Sequence, residues 1–297
     1  MAEDTAPRPI VAGVDGSSSA LAAATWAARE AALRQTSLLL VHACDVPAVH
    51  PRSPVSLPRS YADALRLYGD DWLRDAQSAV AAAEPDVEVR TAIEDGHPGK
   101  ILIDAAASAQ LVVLGSRGLG GFSSLLIGSV AVAVASHTQC PVVVVRGDGL
   151  PSLARDPIVA GVDGSLPGDR ALGYAFEAAA LRDAPLIAVR AWTYATTEIG
   201  WPAVPMAVSD EEIAGNERRL LGESLAPWRE KFPDVAVEER VVAGRPVRTL
   251  LAEAETARAQ LIVVGSRGRG ALAGLGLGSV NQGLLHHADR PIAIVGA

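Results

Sequence analysis

Residues 115–130 read GSRGLGGFSSLLIGSV, and residues 265–280 read GSRGRGALAGLGLGSV. Each stretch follows a short, uninterrupted apolar run, LVVL at 111–114 and LIVV at 261–264. Runs this short and this rich in β-branched residues read as buried strands of a parallel sheet. Each stretch then enters an apolar segment that reads as a helix opening on a Gly-Ser pair. A strand, a glycine-rich loop and a helix start make an anion-binding corner. The helix end presents backbone N–H groups without partners and a partial positive charge, and glycines let a phosphate approach the main chain. The spacing is the same in both copies: Gly115, Gly118, Gly128 and Ser129 recur as Gly265, Gly268, Gly278 and Ser279. The pattern predicts that the loop holds nucleotide phosphates, twice per chain.

Working outward, the repetition covers most of the chain. PIVAGVDGS at 9–17 returns unchanged at 157–165, and Gly96-His97-Pro98 returns as Gly244-Arg245-Pro246. CPVVVV at 140–145 matches RPIAIV at 290–295. Repetition on this scale means one fold used twice. The expected domains are residues 1–146 and 157–297, joined by a Gly-, Pro- and charge-bearing linker over 147–156.

Within the first copy, Ile10–Val14 reads as a buried strand and Asp15-Gly16 as a turn. Ser17–Ser19 offers capping hydroxyls to a helix reaching about Gln35, with Ala24, Ala28 and Ala32 as its packing face. Leu172, Phe176 and Ala180 take those places in the second copy. Leu38–Ala43 is the second strand, and the proline-rich 44–58 is a loop. A helix follows over 61–83, a strand over 87–92, and a helix from Pro98 to about Ser108. Strands at 111–114 and 142–145 flank a helix over 129–137, and Pro141 suits an outer strand. The order βαβαβαβαβ predicts an α/β fold: two tandem copies of a five-stranded, mostly parallel sheet with helices on both faces. Ligands of such sheets sit beyond the carboxyl ends of the strands, where Asp15 and Gly115 both fall.

Composition narrows the function. The 297 residues carry a formal charge of −8, with Lys100 and Lys231 as the only lysines. Nucleic acid and anionic membrane surfaces need clustered cations, so neither is expected as a partner. No apolar run approaches a membrane span, and MAEDTAPRP does not resemble a signal peptide, so a cytoplasmic protein is expected. Cys44 and Cys140 have no equivalents in the second copy and no metal-ligand spacing, which marks them as incidental thiols.

Other phosphate loops do not fit. No G-x-x-x-x-G-K-[ST] exists, the first strand is followed by GVDGS rather than G-x-G-x-x-G, and no G-x-S-x-G elbow is present. His137 falls at a helix end, where a cation suits the dipole, and no set of nucleophile, base and orienting acid is visible.

The chain resembles the universal stress protein family in its tandem, mycobacterial-like ATP-binding form. Both copies match that family's G-x2-G-x9-G-[ST], the first-strand Asp of GVDGS, the Gly-x-Pro and the Pro-led last strand. The resemblance implies a Rossmann-like fold of the adenine nucleotide alpha hydrolase type, with one ATP site per domain. It implies that Gly115, Ser116, Arg117 and Gly118, continuing through Leu119, Gly120 and Gly121, wrap ribose and phosphates. Gly128, Ser129 and Val130 would hold phosphates on the helix start, Gly13 and Asp15 would line the nucleoside side, and Val41 would meet adenine. In the second copy these are Gly265, Ser266, Arg267, Gly268, Arg269, Gly270, Gly278, Ser279, Val280, Gly161, Asp163 and Val189. Asp15 and Asp163 offer acceptors to ribose or adenine, or to water on a magnesium ion; a turn residue bonding its own backbone is the plainer reading of each. Arg269 replaces Leu119, which predicts tighter triphosphate binding in the second copy.

The implied role is a nucleotide-dependent regulator of stress or dormancy physiology, with at most slow ATP hydrolysis. The family's dimer contact along the last strand implies a homodimer or an internal pairing of 142–145 with 292–295, with an unidentified protein partner downstream. Two other classes stay open. One is an adenine-nucleotide-using ligase or hydrolase, although GVDGS lacks the paired glycines of SGG-x-DS. The other is a nucleotide-free dimeric scaffold.

Overall fold

The computed structural model describes residues 7–45, 59–119, 127–146, 155–193, 209–268 and 276–296. The chain forms two compact units, Met1–Leu150 and Pro151–Ala297. The first runs β1 (Ile10–Gly13), α1 (Ser18–Leu33), β2 (Leu38–Cys44), α2 (Arg59–Ala83), β3 (Val89–Asp95), α3 (Pro98–Ala106), β4 (Leu111–Gly115), α4 (Ser129–His137) and β5 (Val142–Val145). The second repeats it as β6 (Ile158–Gly161), α5 (Leu166–Arg182), β7 (Leu186–Trp192), α6 (Asp210–Lys231), β8 (Val237–Ala243), α7 (Pro246–Thr256), β9 (Leu261–Gly265), α8 (Ser279–His287) and β10 (Ile292–Val295).

Within the first unit the strands lie side by side as β3-β2-β1-β4-β5, every ladder parallel. Within the second the row is β8-β7-β6-β9-β10, again parallel throughout. The α/β architecture expected from the sequence is therefore the one found. Val11 of β1, Val112 of β4 and Val143 of β5 lie fully buried, as do Val159 of β6, Ile262 of β9 and Ala293 of β10 in the second unit. Helices on both faces explain why these strands are continuous apolar runs rather than alternating ones. In each unit the chain builds outward from its first strand in one direction, then returns to add the fourth strand on that strand's other side. Connections diverge there, which opens a crevice above the carboxyl ends of β1 and β4, and of β6 and β9.

Two expectations need correction. The third strand begins at Val89, not Val87, because Glu84–Val87 closes a turn in which Val87 N–H reaches Glu84 O at 3.3 Å. It then keeps register with β2 through Asp95 against Cys44. On α1 the buried alanines are 20, 23, 24, 27, 28 and 31, while Ala32 is exposed, as is Ala180 on α5. A step of four residues overshoots one turn by about 40°, so the third residue of an i, i+4, i+8 row has rotated away from the sheet. Among the described residues no helix is long and apolar enough to cross a membrane.

The units exchange bulk at one helix contact. A Cβ on Gly99 of α3 would sit 3.7 Å from the Ala133 Cβ of α4, an ordinary contact. In the second unit Val247 replaces Gly99 and Gly283 replaces Ala133, and a Cβ on Gly283 would lie 2.7 and 3.0 Å from the two Val247 methyls. A methyl added there has no rotamer escape, because both branches of the stiff valine are already close. Gly283→Ala and Val247→Ala are therefore expected to couple by about 1 kcal/mol or more, the pair being more stable than the sum of the singles. Thermal denaturation of the four chains of this cycle measures that coupling.

Candidate functional site

The crevice of the first unit is a cavity of about 530 Å³, within the range of small-molecule sites. Nine of the residues singled out in the sequence line it: Gly13, Asp15, Val41, Gly115, Arg117, Gly118, Gly128, Ser129 and Val130. Val41 pairs in register with Gly13, which puts the second strand's end beside the first, and Val189 pairs with Gly161 in the same way. The wall also contains Pro98 of the Gly-x-Pro motif, and residues that no motif marked: Leu102 of α3, Ile127 before α4, Ala131 on α4, and His42 and Ala43 of β2. An apolar side chain on a two-faced helix such as α3, or at the end of a strand such as β2, carries no chemical mark of its own, so the sequence does not point to these positions.

The floor of the crevice is the start of α4. Gly128 is its N-cap, with extended backbone at φ −75° and ψ 140°, and contributes no side-chain cap; Gly278 does the same for α8. By contrast Ser17 caps α1 through Ala20 N–H at 3.1 Å, and Ser165 caps α5 through Gly168 N–H at 3.1 Å. Ser129 and Ser279 are exposed first residues of their helices. The first turns of α4 and α8 thus offer backbone donors that no cap side chain occupies, at the positive end of the helix dipole.

Asp15 sits differently from a residue aimed at a ligand. One carboxylate oxygen accepts from Ser17 N–H at 3.0 Å and Ser17 Oγ at 2.6 Å, and the other accepts from Leu119 N–H at 3.0 Å. With its one proton given to Asp15, Ser17 Oγ lies 3.2 Å from Arg117 O, and Arg117 N–H donates to Ser19 Oγ at 3.4 Å. The carboxylate is a clasp between the first-strand turn and the glycine loop. Asp163 repeats the turn half, accepting from Ser165 N–H at 2.9 Å and Ser165 Oγ at 2.7 Å, with Ser165 Oγ 3.4 Å from Arg267 O. Each aspartate thus bonds its own turn, and in the first unit the carboxylate also accepts from Leu119 N–H. Leu119 itself is an exposed lip residue. Gly120, Gly121, Arg269 and Gly270 lie outside the described residues.

Ser116 and Ser266 are placed away from the role the resemblance implied. Both are buried, and Ser116 is absent from the cavity wall. Their backbones close the loop stems: Ser116 N–H donates to Val145 O and Gly128 N–H to Ser116 O, and Ser266 repeats this with Val295 and Gly278.

The motif glycines divide by what crowds them. A Cβ on Gly115 would lie 2.7 Å from the Ser19 carbonyl carbon, and one on Gly265 would lie 2.7 Å from that of Pro167. These glycines let the first turn of α1 or α5 lie against a strand end. Gly118 faces the clasp, where a Cβ would overlap Asp15 Oδ2; one on Gly268 would lie 2.9 Å from Asp163 Oδ2. Gly128 and Gly278 have no neighbour closer than 3.7 and 3.5 Å, and the space beside Gly128 belongs to the cavity. Gly16 and Gly164 have φ of +84° and +77°, a left-handed turn that glycine adopts without strain.

His42 and His137 are both accounted for by packing. His42 Nδ1 lies 2.7 Å from Val14 O, and its ring meets Trp72 edge-on at 5.2 Å. Trp72 covers Gly16, where a Cβ would be 2.5 Å from the indole. Arg190, in the place of His42, is buried and ion-paired with Glu217. His137 is exposed at the end of α4, with Nδ1 2.8 Å from Ala133 O. Burial pushes the Cys140 thiol up to about 11 and also raises Cys44, so both stay protonated at neutral pH.

The universal stress protein family model matches residues 7–146 and again residues 154–296. A universal stress protein of Mycolicibacterium smegmatis is 36% identical over 291 residues, covering 96% of each chain. One from Mycobacterium tuberculosis is 35% identical over 291 residues, covering 96% of this chain and 95% of that one. Among solved structures, a universal stress protein of Archaeoglobus fulgidus superposes with a TM-score of 0.73 at 18% identity, covering 97% and 98% of the two chains. That likeness concerns the fold.

Gly115→Ala should lower the melting temperature by several degrees, since the methyl meets backbone, whereas Gly128→Ala should leave it nearly unchanged. Differential scanning calorimetry distinguishes the two, and equal destabilisation would show that Gly128 serves the fold after all.

Proposed function

The chain belongs to the universal stress protein family, and on that premise we propose that each of its two crevices binds ATP. The observation that carries this reading is the glycine-capped start of α4 at the floor of a cavity, repeated in sequence and backbone at α8. A phosphate accepts from main-chain N–H groups there and is favoured by the dipole. Gly128, Ser129 and Val130 hold the phosphates, Gly115 and Gly118 allow the loop to close over them, and Val41 with Leu102 offers an apolar wall to the base. Gly278, Ser279, Val280, Gly265, Gly268 and Val189 act alike in the second unit.

The aspartates do not fit a protein-held magnesium ion. Both oxygens of Asp15 already accept from Ser17 and Leu119, and the described residues contain no group of three His, Cys, Asp or Glu able to hold a metal. A magnesium ion arriving with ATP belongs to the phosphates.

ATP is retained rather than turned over rapidly. Backbone donors at a helix start bind the ground state as well as the transition state, which strengthens binding without lowering a barrier. The protein then acts in the cytoplasm as a nucleotide-dependent regulator of stress or dormancy physiology, passing its state to a protein partner, with itself as a dimer among the candidates.

Mass spectrometry of small molecules released from the purified chain should find ATP, and calorimetric titration should find two sites per chain. Gly128→Glu and Gly278→Glu each place a carboxylate where a phosphate would bind, and each should remove one equivalent. Failure of ATP to bind at millimolar concentration would remove the proposal in favour of the scaffold reading. Release of AMP or pyrophosphate would instead point to the ligase or hydrolase class.

A further inference from the structure

The two crevices are secured by different groups. In the second unit Asn281, on the first turn of α8, stands where the first unit has Ala131, a residue of the cavity wall. Its Nδ2 donates to Gly265 O at 3.0 Å and to Ser266 O at 2.6 Å, at the stem where the glycine loop leaves β9. Its neighbour Gln282 stands where the first unit has Val132, and its Nε2 donates to Leu277 O at 3.2 Å, at the stem where the loop returns. Two amides on one helix turn therefore staple both stems of the second loop to the helix that would receive the phosphates. Ala131 and Val132 have no side-chain donor to give. The first loop has a tie to the opposite wall that the second lacks, from Arg117 N–H to Ser19 Oγ, because Pro167 replaces Ser19 in the second unit.

Asn281 is not explained by the fold's own needs. It is 2% exposed, and its Oδ1 is buried with no hydrogen-bond partner among the described residues. A buried acceptor left unpaired is destabilising, and the first unit fills the same place with a methyl group. We propose that Asn281 and Gln282 are positioning residues that pre-organise the second cradle, so that the second site holds ATP more tightly and releases it more slowly than the first. This rests on the ATP-binding reading above. The physical basis is that a loop already held in its binding conformation loses less freedom when the ligand arrives.

Full-length chains carrying Gly128→Glu or Gly278→Glu present one cradle at a time to ATP in calorimetric titration and in a chase measurement of the dissociation rate. With the second cradle presented, Asn281→Ala combined with Gln282→Val should weaken ATP about tenfold, a change of ~1.4 kcal/mol, chiefly through faster dissociation. With the first cradle presented, Ala131→Asn combined with Val132→Gln should tighten it in the reverse sense. A purely structural role would lower the melting temperature while leaving both dissociation constants within about twofold, and that result overturns the proposal. Should the first pair of substitutions prevent folding, the reciprocal pair decides alone, and no tightening overturns it. ATP bound by neither parent chain removes both this inference and the proposed function; ATP bound with both exchanges silent removes only this one.

Discussion

The first crevice depends on a carboxylate that fastens two separate segments together. Asp15 stands just beyond β1, and its two oxygens take donors from two segments, Ser17 beside it and Leu119 at a separation of 104 positions in sequence. The turn at Gly16 and the first residues of α1 are thereby fixed against the glycine loop. Hydrogen bonds to an ionised acceptor contribute about 1.5–3 kcal/mol each before solvent screening. Gly118 follows from the same clasp, since a side chain there would displace the oxygen that Leu119 needs. So does Gly115, because α1 can begin at Ser18 only if its first turn lies against the bare end of β4. The motif is as much the signature of a mutual closure between two loops as of a ligand.

The second unit shows which parts of this closure are interchangeable. Asp163 keeps both bonds to Ser165, while Ser19 gives way to Pro167, so one tie between the walls is absent and others on α8 replace it. Packing follows the same logic. Ala24 and Ala28 of α1 become Leu172 and Phe176 of α5, all of them fully or almost fully buried, and Phe176 stacks on Trp228 and Phe232 with centroids 6.5 and 5.9 Å away. Bulk added to the helix is met by rings from α6 and its end. The exchange of Gly99 and Ala133 for Val247 and Gly283 conserves volume across a contact rather than at a residue. Two copies within one chain have thus drifted in side chains while the strand order and the backbone of the crevice stayed fixed.

Much of this was legible in the chain because its signals are local. Buried parallel strands advertise themselves as apolar runs, and Pro98, Ser17 and the Gly-Ser pairs mark helix starts at the residue. The glycine spacing and the first-strand motif, with the family resemblance for Val41, led to nine lining residues of the first crevice. What escaped was set by geometry between elements. Ser116 looks like a ligand residue in a string of letters, but its backbone is consumed in the loop stem. Asp15 looks free until Leu119 is seen beside it. Leu102 and Ala131 reach the cavity because α3 and α4 pack there, and neither position bears a chemical mark. Asn281 lies three residues past a motif glycine and reads as an ordinary helix residue; only its two carbonyl partners reveal what it does.

The choice of donors also bears on whether a bound triphosphate would be cut. Among the described residues, three titratable side chains line the first cavity: Asp15, His42 and Arg117. A general base needs a lone pair directed at an attacking water. The oxygens of Asp15 are engaged by Ser17 and Leu119, and His42, whose Nδ1 donates to the Val14 carbonyl, keeps its lone pair on Nε2, which packs against Gly69 of α2 with the ring edge-on to Trp72. Arg117 offers charge but cannot accept a proton. Freeing Asp15 to act as a base would unfasten Leu119 from the first-strand turn, so the group best placed for chemistry is the one this clasp can least spare. A crevice built in this way is better suited to holding an anion than to attacking one.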